Sequence, residues 1–199
     1  KTYNSQLLCL KINNYNTQSA NTMSNKLQQL AMNLYALTLK NLYPLILLIC
    51  SFGIYFTHYG TPSAMFWDEN YHIASAQKHI DGVMYMEPHP PLGKMLMGLA
   101  EAVINPNANL DKQKFNYTDH IEGSDTPAGM KFTGYRWPSV VLMALSVLFF
   151  YGILHRITQH QLIAFLFSSF IIFDNALVIQ ARAAMLEGIQ LFFVLAELY

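Results

Sequence analysis

The chain has 199 residues, of which 53% are hydrophobic and only 12% charged, about half the charged share of an ordinary soluble domain. Its formal net charge is zero, so the balance offers nothing to a nucleic-acid partner. The two cysteines, Cys9 and Cys50, lie far apart with Cys50 inside an apolar run, which argues against a disulfide or a zinc site.

Residues 1–41 form a polar leader rich in Asn, Gln, Ser and Thr. Weak helical periodicity over 27–39 predicts a short amphipathic helix on the membrane, preceded by a loose or disordered tail over 1–25. The apolar residues that follow gather into blocks, and this pattern predicts spans at about 42–58, 137–155, 162–181 and 183–199. The fold class expected is an all-α polytopic membrane protein. The last block runs to the end of the chain, so a longer polytopic protein is expected.

Between the first two spans lies a loop of residues 59–135, far longer than a passive connection of roughly 15 residues. Residues 63–80 read as a helix ended by Gly82. Pro88, Pro90 and Pro91 then force turn or extended backbone. Residues 94–104 are apolar but too short to cross, and predict an interfacial helix. Residues 105–134 read as polar, turn-rich and mobile.

Charge sets the expected orientation. Lys1, Lys11, Lys26 and Lys40 precede the first span and no acid occurs before Asp68. The long loop holds nine acids against five lysines. The positive-inside rule then places the N-terminus in the cytoplasm and the loop on the extracytoplasmic side.

Three clusters could carry chemistry. Asp68 and Glu69 are adjacent acids beyond the first span, readable as catalytic carboxylates or as a solvated pair at a helix start. The run from His89 to Lys94 is a stiff bend that could hold both ends toward one point, or could be a plain interface turn. Arg136, Asp174, Arg182 and Glu187 lie within or at the edges of spans, where a charge costs at least a few kcal/mol and is paired or functional. With alternating spans, Asp68, Glu69, His89, Lys94, Arg136, Arg182 and Glu187 all reach one membrane face. That arrangement suits a reaction on a lipid phosphate whose tail stays in the bilayer.

From Phe66 onward these residues resemble a known family. Asp68-Glu69, the run His89-Pro90-Pro91-Leu92-Gly93-Lys94, Arg136 near Pro138, and the stretch from Phe173 to Gln180, Arg182 and Glu187 are similar to the protein O-mannosyltransferases and their bacterial relatives of the GT-C fold. Two positions depart from that pattern: Ala181 stands where the family usually has Ser, and Glu187 where it usually has Asp. The resemblance implies GT-C-like transmembrane helices, a polyprenyl- or dolichyl-phosphate-mannose donor, inversion at the anomeric carbon, and no metal or other cofactor. It implies a bacterial inner membrane or endoplasmic reticulum, with the site on the extracytoplasmic side.

Chemistry then assigns expected roles. Asp68 is the general base, and Glu69 orients it or the acceptor. Arg136, Arg182, Lys94 and His89 bind the donor phosphate. Asp174 and Glu187 support the site. The expected partners are a lipid-phosphate-linked sugar donor, a protein acceptor with Ser or Thr hydroxyls, membrane lipid and, as an option, a second copy of the chain. Two alternatives stay open: sugar transfer to a glycolipid, and a non-enzymatic transporter or scaffold fragment.

Overall fold

The computed structural model describes the backbone of residues 2–87 and 89–199, and the side chains of residues 26–36, 38, 41–87 and 89–199. The chain divides into two units, Lys1–Leu42 and Tyr43–Tyr199. Helix α1 runs Thr2–Phe56, and its part in the first unit carries Leu27, Leu30 and Leu34 exposed. The loose tail expected at 1–25 is not what the backbone shows, since residues 2–25 are part of α1.

In the second unit, α1 is followed by α2 (Glu69–Asp81), α3 (Leu92–Ile104), α4 (Thr133–Thr158), α5 (Gln161–Phe173), α6 (Asn175–Arg182) and α7 (Glu187–Leu198). The described residues are helix, turn and loop without a strand. Two stretches are long and apolar enough to cross a membrane, Lys26–Phe56 of α1 and α4. The pair α5 and α6, bent by 57° at its break, makes a third if it is one span. The break has a local cause, because Asp174 takes an extended backbone and its Oδ1 accepts the Leu177 N–H, capping α6. Helix α7 has 12 residues, about 18 Å of helix and short of a span by itself.

The α2 helix begins at Glu69, six residues later than the periodicity suggests. The carbonyls of Tyr59, Pro62 and Ala64 instead accept from Arg136, and a helix begun at residue 63 would have consumed that of Ala64 internally. Gly82 ends α2 and Asn105 ends α3, both in the left-handed conformation.

Two apolar clusters hold the second unit together. One joins Val140, Met143 and Val147 of α4 to Leu47 and Tyr55 of α1 and to Ala164 and Ile172 of α5. The other sits under the long loop, where Ile73 and Met97 pack with Phe115, Ile121, Met130 and Phe132. Those four loop side chains are at most 5% exposed, so residues 105–134 are pinned to the helices rather than trailing free. Short 3-10 turns at Gln113–Tyr117 and Gly123–Asp125 give the segment its local order.

Candidate active site

The ends of four helices meet around Glu69 and Arg136. Arg136 lies in the first turn of α4, Glu69 opens α2, and both are at most 1% exposed. Nε and one Nη of Arg136 donate to the two oxygens of Glu69, each at 2.8 Å. The remaining guanidinium N–H groups reach the carbonyls of Tyr59, Pro62 and Ala64 at 3.2, 3.0 and 3.0 Å. All five guanidinium donors are therefore used. Glu69 is equally occupied, since its oxygens also accept the N–H of Phe66 at 3.1 Å and of Ala184 at 2.6 Å. The pair thus ties the segment after α1 and the α6–α7 connection to the start of α4. A buried ion pair is tolerable only with this degree of hydrogen bonding.

Beside it, α2, the turn after it and α3 enclose a cavity of about 350 Å³. Asp68, His72, Glu87, His89, Lys94 and Asp119 supply its ionisable lining, with Tyr71, Ser75 and Tyr85. Asp68 stands at the N-cap position of α2 but makes no capping hydrogen bond, which leaves its exposed carboxylate for the cavity. Trp67, immediately before it, has a positive φ of 53°, so the backbone turns sharply where the Asp-Glu pair begins.

Lys94 sits at the start of α3 with its side chain 1% exposed, and its Nζ lies 2.5 Å from Glu87 Oε1. His89 Nδ1 donates to the same oxygen at 3.1 Å, and Ser75 Oγ donates to Oε2 at 2.8 Å. The stiff His89–Lys94 turn thus brings its two ends onto one carboxylate. Burial pushes Glu87 up, but Lys94, Ser75 and His89 together outweigh it and hold the carboxyl at about 2.

His72 is nearly buried, and its Nδ1–H donates to the Ala184 carbonyl at 2.9 Å, which leaves Nε2 as the acceptor of a neutral ring. Burial lowers its pKa, and Lys94 adds to that, while the Ala184 bond, Asp68 and Glu187 pull the other way. Neither His72 nor Glu87 is picked out by the sequence reading. His72 had one signal, its place four residues after Asp68, which puts both on one face of α2.

The other expected residues are distributed less evenly. Arg182 does not line the cavity; one Nη donates to the Ile54 carbonyl at 2.7 Å and its buried Nε has no partner among the described residues. Glu187 is exposed in the first turn of α7, close enough for its charge to act on His72. Asp174 caps α6. The structure therefore brings together Asp68, His89 and Lys94, and sets Glu69 and Arg136 behind them as the frame.

This is a helical membrane protein with carboxylates, imidazoles and a lysine gathered where helix ends meet. Residues 45–199 match the family model described as dolichyl-phosphate-mannose-protein mannosyltransferase, and the chain belongs to that family. It is 25% identical over 151 residues to Protein O-mannosyl-transferase 2 of Drosophila melanogaster, covering 76% of this chain and 19% of the fly protein. It is 25% identical over 153 residues to Dolichyl-phosphate-mannose--protein mannosyltransferase 1 of Candida albicans, covering 77% and 17%. The Schizosaccharomyces pombe protein of the latter name is 28% identical over 133 residues, covering 67% and 14%. The chain spans less than a fifth of the length of these relatives.

Proposed function

We propose that the chain provides the catalytic first part of an inverting mannosyltransferase, moving mannose from a dolichyl- or polyprenyl-phosphate donor to Ser or Thr hydroxyls of exported protein. The observation that carries this reading is the cavity in which the uncapped Asp68 faces the Lys94 and His89 cluster. Family membership supports the same chemistry.

In this reading Asp68 accepts the proton of the acceptor hydroxyl as its oxygen attacks the anomeric carbon. The bond from that carbon to the phosphate oxygen breaks on the opposite face. The electron pair leaves with the lipid phosphate, which departs as an anion and needs no acid. Lys94 meets the phosphate charge in a buried setting, where a fixed cation is worth more than in water, and His89 meets it from the exposed rim. Arg136 serves the reaction from behind, by fixing through Glu69 the turn that carries Asp68. Arg182, with an unpartnered Nε near the end of α6, is a second cation for the lipid phosphate. The acid-free, lysine-bearing stretch before the first span supports placing the site on the extracytoplasmic side.

The test is transfer of labelled mannose from dolichyl-phosphate-mannose to a Ser/Thr-rich peptide in membranes holding the protein. Transfer to the peptide supports the reading. Label found only in glycolipid would replace the acceptor, and no transfer at all would sink the enzyme reading.

A further inference from the structure

Every hydrogen bond made by the Glu87 carboxylate is one that a phosphate could accept. Oε1 takes Lys94 Nζ at 2.5 Å, His89 Nδ1 at 3.1 Å and the His89 N–H at 3.2 Å, and Oε2 takes Ser75 Oγ at 2.8 Å. The donors come from α2, the turn and α3, so the tertiary fold assembles them around one anion. An ammonium, an imidazole N–H, a hydroxyl and a backbone N–H converging on two oxygens are the makings of an oxyanion site.

Of the other cations, Arg182 stands outside the cavity lining, and two more are committed elsewhere. Arg136 has spent all five donors on Glu69 and three carbonyls. Lys78 is paired with Asp119. An incoming phosphate in this cavity must therefore deal with Lys94, and Lys94 already has its anion.

We propose that Glu87 is the internal occupant of the donor's phosphate site, and that the lipid phosphate binds by displacing its carboxylate from Lys94 and Ser75. The proposal rests on the reading of this cavity as the lipid-phosphate-mannose site. Glu87 lies outside any helix, between the end of α2 at Gly82 and the start of α3 at Leu92, so it can swing out without unwinding either. Its presence solves a physical problem, because an empty site would leave a buried lysine without a counter-anion. The consequence is a donor affinity lower than the bare site would give.

The experiment measures binding of dolichyl phosphate, which carries no sugar to transfer, to the protein in phosphatidylcholine nanodiscs. Glu87→Gln keeps the size and an acceptor oxygen but removes the competing charge, so Lys94 gains from a phosphate what it now gets from Glu87. Binding should tighten about tenfold, the scale of one charge-assisted hydrogen bond. Glu87→Ala, the second variant should the first not accumulate, should tighten it in the same direction. Unchanged or weaker binding in these variants would overturn the proposal and make Glu87 a brace that orients Lys94. If wild type transfers mannose while the variants fail to tighten, only the displacement idea falls. If no form binds dolichyl phosphate, the proposal and the reading beneath it fall together.

Discussion

Glu69 and Arg136, separated by 67 positions, make a two-point ion pair in which the guanidinium has no donor left over. An arginine with every N–H already spent on a carboxylate and three carbonyls is a frame member. This arrangement predicts a structural cost for its loss. Arg136→Met would leave Glu69 buried without its cation, and removing one partner of a buried pair costs about 3–5 kcal/mol. Thermal unfolding in detergent should show that loss, with the mutant melting well below wild type. Arg136→Met melting like wild type while losing donor affinity would return Arg136 to the phosphate.

The approach of α3 to α2 predicts a second stability effect. A Cβ added at Gly98 would lie 2.8 Å from the Ala76 carbonyl oxygen, a backbone atom that cannot turn aside. Gly98→Ala should cost about 1–3 kcal/mol by overpacking. It should also weaken dolichyl phosphate binding, since Lys94 and Ser75 sit on the two helices forced apart. Melting and binding, measured on one preparation, check both halves of this expectation.

Part of this architecture is legible in the sequence. The α3 helix can be read because an apolar run follows the proline turn and Asn105 closes it. The bend from His89 to Lys94 is visible too, since prolines and a glycine restrict where its ends can go. What carries no sequence signal is the choice of partner. Glu87 looks like a lone loop acid until the fold brings Ser75 and Lys94 to it. Whether a membrane-edge arginine binds a ligand or frames a loop depends on carbonyls at residues 59–64, and no residue pattern encodes those. The start of α2 is hidden for the same reason.

The pH dependence of stability follows from His72. Its folded pKa lies below the ordinary 6.5, so the unfolded chain takes up the proton first. Stability should therefore hold above about pH 6.5 and decline as the pH falls below it, down to the folded pKa. His72→Asn keeps a donor for the Ala184 carbonyl but cannot take the proton. Melting temperatures between pH 5 and 8 should show a shallower acid decline for the mutant than for wild type.

The membrane side of the site can be read by labelling. Tyr117 is 88% exposed on the long loop. Tyr117→Cys, with Cys9 and Cys50 replaced by alanine, should react with an impermeant thiol reagent applied from the extracytoplasmic side. Labelling only after permeabilisation would reverse the orientation drawn from Lys1, Lys11, Lys26 and Lys40.

The most direct test of the account is the transfer rate of Asp68→Asn against its donor affinity. The asparagine keeps the size of the side chain and its place at the head of α2 but cannot accept the hydroxyl proton. A positioned base contributes roughly two to four orders of magnitude, so mannose transfer from dolichyl-phosphate-mannose should fall by about that factor. Donor binding should barely change, because the phosphate is held by Lys94 and His89. Near-wild-type transfer by Asp68→Asn, with donor binding intact, would contradict the account and move the base to another residue of the cavity, His72 first.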